Sequence, residues 1–155
     1  MAFVLIIDPD LARAAALARG VQFVTRRSQG HSDHLYVSLQ SDFSRAREQL
    51  RAKPPDLLVT ALALREYNGL HLVYLAAAAG LPTRSIVYTD MIDPFQTRAI
   101  QAAGAFHEVR PRLPVTLPAY ISAALPPNDR RNGICYDRRH LARGGRRAAD
   151  QLSAL

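Results

Sequence analysis

The sequence lacks the features that mark secreted, membrane-spanning and disulfide-stapled proteins. Among its 155 residues Cys135 is the only cysteine, which excludes an internal disulfide and a cysteine-based zinc site. No apolar run approaches the roughly 18 residues that a membrane helix needs. The apolar run Phe3–Ile7 follows no basic leader and ends at Asp8, so no signal peptide is readable. We expect a cytoplasmic protein that does not insert into a membrane.

Signatures of catalysis are missing as well. The sequence has no nucleophile elbow and no cluster of metal-ligating residues, and its histidines are scattered along the chain. They are His31, His34, His71, His107 and His140. Because isolated histidines usually have structural roles, we expect a protein that is not an enzyme and that carries no metal and no cofactor.

Positive charge is what the chain does carry, and much of it lies near the C-terminus. The formal charge is +7, and such a balance favours anionic partners. From Asn128 onward, seven arginines stand against three acids, an excess of four. More than half of the net charge therefore lies in the last fifth of the sequence.

Short apolar runs alternate with helical segments through the first 125 residues. Five of these runs have strand length and suit a buried parallel sheet. They are Phe3–Ile7, Leu35–Leu39, Leu57–Ala61, Arg84–Thr89 and Phe106–Val109. The alternation predicts an α/β fold, doubly wound, with a five-stranded parallel sheet covered on both faces.

Capping and stop residues set the predicted helix boundaries. The first helix follows Asp10 and ends before Gly20, and the second is capped by Ser41-Asp42 and runs through Leu50. The remaining helices span about residues 69–79, 94–103 and 114–125, and a glycine or a proline follows each of them. Residues 21–24 could form a further short strand, and residues 26–33 look like a loop.

A pair of prolines, Pro126-Pro127, ends the predicted domain, which therefore covers residues 1–125. The remaining residues, 126–155, contain glycines and arginines but few large apolar groups. They cannot build a core of their own, so we expect a tail that is flexible when no ligand is bound.

The order of these elements resembles the CheY-like receiver domain of two-component signalling. Val4–Asp8 resembles the first strand of that family and its metal-binding acids, although Pro9 stands where a second acid is usual and Asp10 could partly substitute for that acid. Pro55–Ala61 and Asn68–Leu72 resemble the run into the phosphorylated aspartate and the segment that follows it. The resemblance covers about residues 3–125 and implies a flavodoxin-like fold.

At the phosphorylation site of such a domain this chain departs from the family. Ala61 occupies the acceptor position, and its methyl group has no oxygen to attack phosphorus. Asp8 keeps the family type, Thr89 matches the hydroxyl switch residue, and Arg110-Pro111 stands where Lys-Pro is usual. The resemblance implies a degenerate pseudo-receiver without aspartyl phosphorylation or a bound metal ion. Ordinary hydrogen bonding in an inherited fold is the plainer explanation of Thr89 and Arg110.

The tail is patterned as well as basic. Asp-Arg-Arg occurs at 129–131 and again at 137–139, and Gly-Gly-Arg-Arg at 144–147 is followed by Asp150, with no lysine in the tail. Arginine can place two donors on the O6 and N7 edge of guanine, and a carboxylate accepts from N1–H and N2–H₂ on the opposite edge. Other guanidinium groups neutralise phosphates, and glycines let the backbone approach a flat ligand. The pattern indicates a guanine nucleotide with several phosphates.

Residues 136–150 resemble the arginine-rich tail of the Cle group of CheY-like effectors, a tail that wraps cyclic di-GMP. Arg147–Asp150 also matches the Arg-x-x-Asp pattern of the inhibitory cyclic di-GMP site in diguanylate cyclases. By this resemblance, the arginines grip guanines and phosphates, the two acids read guanine edges, and the tyrosine can stack on a base. The implied ligand-binding residues are Tyr136, Asp137, Arg138, Arg139, Arg143, Gly145, Arg146, Arg147 and Asp150.

The leading hypothesis is a non-enzymatic bacterial signalling adaptor in which cyclic di-GMP orders the tail and the ordered tail engages a protein partner together with the body. The identity of that partner and the oligomeric state stay open. The alternative is a protein-interaction module whose tail binds nucleic acid or other polyanions without base preference. The acids of the tail could also simply pair with neighbouring arginines on a short helix.

Overall fold

A five-stranded parallel sheet forms the centre of the structure. The computed structural model describes residues 2–28 and 35–122. Its strands, in chain order, are β1 (Ala2–Ile7), β2 (Leu35–Gln40), β3 (Leu57–Ala61), β4 (Ala63–Leu64), β5 (Tyr67–Asn68), β6 (Arg84–Thr89) and β7 (Phe106–Val109). The large sheet has the order β2-β1-β3-β6-β7, while β4 and β5 form a separate antiparallel hairpin. The five predicted sheet strands are confirmed, whereas the hairpin was not predicted from the sequence.

Helices connect the strands and cover both faces of the sheet. They are α1 (Leu11–Ser28), α2 (Phe43–Ala52), α3 (Leu70–Ala78), α4 (Pro94–Ala102) and α5 (Leu113–Ser122). The crossover through α1 runs from the central strand β1 to the edge strand β2, and the later crossovers run the opposite way across the sheet. Because such crossovers are right-handed, α1 lies on one face and α2, α3 and α4 lie on the other. Helix α5 packs against α1, which completes the predicted doubly wound arrangement.

Burial explains why the central strands read as continuous apolar runs. Every residue of β3 is buried, as are residues 3–7 of β1 and 85–89 of β6. A strand in the middle of a parallel sheet meets helices on both faces, so neither set of alternating side chains reaches solvent. Each fully buried leucine or isoleucine contributes about 1.5–3 kcal/mol to folding.

Aspartate side chains cap α2 and α4, and the first of these caps, at Asp42, was predicted from the sequence. Asp42 is the N-cap of α2, and its carboxylate accepts from the Ser44 amide. Asp93 does the same for α4, where Pro94 occupies the first turn. Gly80 follows α3 with a positive φ of 64°, the left-handed conformation that glycine adopts at low cost.

The first helix extends further than the sequence predicted. Helix α1 continues through Gly20 to Ser28, so the predicted stop at Gly20 and the short strand at residues 21–24 are both wrong. The predicted loop is wrong at residues 26–28, and the rest of it, residues 29–33, lies outside the described residues. A glycine inside a helix costs only about 1 kcal/mol relative to alanine. Burial of Val21 on the sheet side of α1 offsets that cost. The face that packs inward carries Ala14, Leu17, Ala18 and Val21, whereas Leu11 is half exposed.

In the described part of the chain, no helix is long and apolar enough to cross a membrane. The predicted domain boundary at residue 125 and the tail 126–155 lie outside the described residues.

Candidate functional site

The carboxyl ends of β1, β3 and β6 meet at one edge of the sheet. Ile7 of β1 pairs with Thr60 of β3, so Asp8 and Ala61 follow side by side, and Ala61 pairs with Tyr88 of β6. The chain leaves β1 toward β2 on one side, and β3 lies on the other. In doubly wound sheets, the crevice at such a reversal of strand order is where ligands bind. The residues that the sequence singled out in the body therefore lie at the position that the fold favours for a site.

Asp8 is buried at this edge, and both of its carboxylate oxygens have partners. Oδ1 accepts from the Asp10 amide at 2.7 Å and from a terminal nitrogen of Arg13 at 3.2 Å. Oδ2 accepts from the Tyr88 hydroxyl at 2.6 Å. The Asp8 side chain is 1% exposed and that of Arg13 is 48% exposed, so the pair joins a buried carboxylate to a guanidinium that water still reaches. Charge-assisted hydrogen bonds of this kind make burial of a carboxylate tolerable.

Asp10 precedes α1, and its carboxylate caps that helix, while its backbone amide is one of the donors to Asp8. Its carboxylate accepts from the Ala12 amide at 2.9 Å, and its carbonyl accepts from Ala14. It also forms an ion pair with Arg13 at 3.5 Å. Asp10 is therefore the helix cap, while Asp8 is held by side chains from α1 and β6.

Tyr88 is almost completely buried and points at Asp8. Burial, together with the hydrogen bond to Asp8, raises the pKa of the Tyr88 phenol, so that the hydroxyl keeps its proton as a donor. The guanidinium carbon of Arg110 lies 5.6 Å from the centre of the Tyr88 ring. Two arginines thus flank the buried Asp8–Tyr88 pair.

Ala61 lies at the inner end of an open cleft of about 280 Å³. The lining residues are Ala61, Leu62, Ala63, Tyr88, Thr89, Asp90, Met91, Gln96 and Arg110. Gly69 packs directly behind Ala61. A Cβ atom on Gly69 would lie 2.1 Å from the Ala61 carbonyl oxygen, and the φ of Gly69, −56°, suits any residue. The glycine is required here because of this close approach and not because of its backbone conformation.

Thr89 directs its hydroxyl away from Asp8. It donates to the Met91 carbonyl at 2.7 Å and lies 2.8 Å from Nε2 of His107. Nδ1 of His107 lies 3.1 Å from the Thr97 hydroxyl on α4. Because the single hydroxyl proton of Thr89 is given to Met91, His107 must donate through Nε2 and accept from Thr97 through Nδ1. Burial lowers the pKa of His107, against the opposing effect of the Glu108 charge, which favours this neutral form.

Arg110, at the position where the receiver family has lysine, lies at the mouth of the cleft. Its Nε is 2.7 Å from an Asp90 oxygen, an ion pair between a partly buried and an exposed side chain. The Nε–H group does not point at this oxygen, and the buried nitrogen therefore makes no hydrogen bond within the described residues. Arg110 thus balances Asp90 at the rim and faces the Tyr88 ring.

The structure brings Asp8 and Ala61 together, and Thr89 and Arg110 line the same cleft as Ala61. It also adds residues that were not predicted from the sequence. Arg13, Tyr88 and His107 complete the contacts of the predicted residues. Nothing in the sequence singled out Tyr88, because it lies in an apolar strand next to Thr89, the residue that matched the family. All nine predicted ligand-binding residues of the tail, from Tyr136 to Asp150, lie outside the described residues.

Three large apolar side chains that are close together in the sequence are exposed near the cleft. Met91, Ile92 and Phe95 are 72%, 70% and 81% exposed and lie between the end of β6 and the first turn of α4. Exposed apolar side chains that form a contiguous patch mark surfaces of interaction with other molecules.

Comparison with known proteins places the fold. No protein-family model matches the chain, and no curated protein matches it in sequence. Solved structures of receiver domains are similar to it. Chemotaxis protein CheY4 of Vibrio cholerae is 19% identical, with a TM-score of 0.66 over 81% of this chain and 99% of the other. The receiver domain of a DNA-binding response regulator from Colwellia psychrerythraea is 17% identical, with a TM-score of 0.66 over 79% and 100%.

A third similar structure is the receiver domain of the response regulator Ssk1 of Saccharomyces cerevisiae, crystallised with the histidine phosphotransfer protein Ypd1. It is 14% identical, with a TM-score of 0.64 over 78% of this chain and 86% of the other. At these identities the likeness shows the fold, so residues 2–28 and 35–122 have the CheY-like receiver fold that the sequence predicted.

Proposed function

We propose that this chain is a non-enzymatic signalling adaptor that binds cyclic di-GMP through its C-terminal tail and engages a protein partner without being phosphorylated. The observation that carries the proposal is the combination of two sequence features within one receiver-fold chain. Ala61 ends β3 without an oxygen in its side chain, and the Asp/Arg/Gly pattern of residues 136–150 follows the body. A body that cannot accept a phosphoryl group needs another input, and the tail offers one.

The contacts of the body support an input other than phosphorylation. Asp8 already has three donors, and Thr89 is engaged by Met91 and His107, so neither side chain is poised toward an incoming group at Ala61. The exposed apolar side chains of Met91 and Phe95 supply a surface for the partner. The yeast receiver domain of similar fold was crystallised with a signalling protein, so engagement of a protein by this fold has a precedent.

Calorimetric titration of cyclic di-GMP into the full chain and into a version ending at Leu125 tests the proposal, with cyclic di-AMP as control. We expect saturable binding that prefers guanine and is lost on truncation. Equal heats from both dinucleotides, or binding that survives the truncation, would contradict it.

Substitutions in the tail separate guanine recognition from charge. Replacing Arg146 and Arg147 with lysine keeps the charge and removes the paired donors, so each change should weaken binding by about 5–150-fold. The matched control replaces Arg130 and Arg131 with alanine, which removes two positive charges outside residues 136–150. The assignment requires that the lysine variant lose more affinity than this control.

The alternative function is a partner-binding module whose tail attracts polyanions without base preference. A formal charge of +7 supports it. Binding of that kind weakens steeply as salt rises and does not distinguish guanine from adenine. Repeating the titrations over a range of ionic strength distinguishes the two, because guanine-edge contacts preserve the preference between dinucleotides at high salt.

A further inference from the structure

We propose that Arg13 and Tyr88 replace the divalent cation that receiver domains bind at this edge of the sheet. The two side chains contact the Asp8 carboxylate in place of that ion. In this arrangement the body stays in one metal-independent state, and restoring an acid at position 61 is not sufficient to restore a metal site. The inference concerns the body alone and does not depend on whether the tail binds a nucleotide.

The residues at the strand edge do not fit a magnesium ion. Mg²⁺ requires near-octahedral coordination by oxygen, with one or two carboxylates and several waters. Within the described residues, Asp8 is the one carboxylate at the carboxyl ends of β1 and β3, since Ala61 has no oxygen in its side chain and the Asp10 carboxylate caps α1. Among the described residues, no group of three His, Cys, Asp or Glu is placed to hold a metal ion.

The chain supplies from its own groups what a cation would give Asp8. Arg13 brings a positive charge within 3.2 Å of Oδ1, and the Tyr88 hydroxyl donates to Oδ2 at 2.6 Å. The Asp10 amide is the third donor. A carboxylate buried without such compensation costs several kcal/mol. With it, the positive charge of Arg13 balances the Asp8 carboxylate, both of whose oxygens accept hydrogen bonds, so the carboxylate needs no ion.

The same contacts oppose the entry of a cation. A metal ion that approached Asp8 would have to displace the Arg13 guanidinium or remain beside it, and it would have to break the hydrogen bond from Tyr88. Arg110, 5.6 Å from the Tyr88 ring, adds a second positive charge next to the cleft. Repulsion between a divalent ion and these guanidinium groups persists when a second carboxylate is placed at position 61.

The test uses Mn²⁺ as the probe and the full chain as the protein. Paramagnetic broadening of backbone amide signals reports whether the ion binds near residues 8, 61 and 88. Three variants are compared: Ala61→Asp alone; Ala61→Asp with Arg13→Ala and Tyr88→Phe; and Ala61→Asp with Arg19→Ala and Tyr67→Phe. The last is the matched control, because Arg19 is an exposed arginine of α1 and Tyr67 is an exposed tyrosine of the hairpin.

We expect site-specific broadening at millimolar Mn²⁺ in the second variant alone, with affinity at least about tenfold above that of the other two. Equal binding by Ala61→Asp alone would overturn the inference, because the metal would then enter despite Arg13 and Tyr88. Absence of binding in the second variant would overturn it as well. If that variant does not fold, as judged by its amide spectrum, Ala61→Asp with Arg13→Ala carries the same comparison, since it spares the buried Tyr88.

Each titration is run without nucleotide, and binding of cyclic di-GMP is measured separately on the same samples. A failure of nucleotide binding leaves the metal result intact, and a failure of the metal prediction leaves the proposed ligand of the tail untouched.

Discussion

Removal of the Tyr88 hydroxyl isolates one contact of the buried carboxylate. In Tyr88→Phe, the ring that fills the space beneath the cleft is retained, and only the donor to Oδ2 of Asp8 is lost. Because Tyr88 is 1% exposed, no water reaches the vacated position without a change in packing. The variant therefore measures the hydrogen bond and not a large cavity.

The expected loss follows from the partner's charge and burial. A hydrogen bond to a charged group contributes about 1.5–3 kcal/mol, and removal of the donor leaves a buried acceptor unpaired. Asp8 keeps the Asp10 amide and Arg13 on its other oxygen, which limits the penalty to one oxygen. We expect the free energy of unfolding to fall by about 1.5–3 kcal/mol. At about 2–4 °C per kcal/mol for a chain of this length, the melting temperature should drop by about 3–12 °C.

Urea unfolding followed by circular dichroism gives both the free energy of unfolding and its dependence on urea, and the latter should not change. Tyr67→Phe is the control, because this exposed ring stacks on Phe43 with or without its hydroxyl, and its cost should stay within about 0.5 kcal/mol. In an Asp8→Ala background the Tyr88→Phe change should cost far less, since its acceptor is gone. A loss no larger than that of Tyr67→Phe would refute the reasoning.

Further predictions concern packing and pH. Gly69→Ala should destabilise the fold by about 3 kcal/mol or more, because its Cβ would meet the Ala61 carbonyl oxygen. Gly20→Ala, in the open middle of α1, should stabilise the fold by about 1 kcal/mol. Thermal melts in which both variants shifted the melting temperature in the same direction would contradict this. The raised pKa of Tyr88 means that its contribution to stability is complete below about pH 10 and is lost as pH rises above that value, and Tyr88→Phe should flatten this alkaline fall in urea titrations. The lowered pKa of His107 has the opposite sense: stability should be complete above about pH 6.5 and should fall as pH drops below it. His107→Gln should remove that acid dependence, and an unchanged profile would show that another group causes it.

Continuous apolar runs were enough to predict the sheet, because a strand buried on both faces leaves few other readings for a run such as Leu57–Ala61. The end of α1 was not predicted correctly because a glycine such as Gly20 often follows the last residue of a helix. Only the burial of Val21 shows that a longer helix is more stable here. That kind of gain depends on what lies opposite the helix, which no local pattern reveals.

The candidate site was predictable in part, for a related reason. Asp8 and Ala61 were predicted from the resemblance to receiver domains, and the pairing of β1 with β3 places them side by side. Sequence could not decide which of two adjacent hydroxyl residues, Tyr88 or Thr89, faces Asp8, since neighbouring strand residues point to opposite faces and a shift of one residue exchanges them. The contact of Arg13 with Asp8 could not be predicted either, because it depends on the turn at Asp10 that begins α1 and directs Arg13 toward Asp8.

The bond between Asp8 and Tyr88 joins residues separated by 80 positions in the chain. During synthesis, β1, β2 and β3 leave the ribosome well before the strand that completes the Asp8 environment. Before β6 docks, Oδ2 of Asp8 lacks its donor from the protein and must be hydrogen-bonded to water. Docking of β6 therefore removes water from this edge of the sheet. The kinetics of Tyr88→Phe report when the contact forms: faster unfolding places it after the folding transition state, and slower folding places it before.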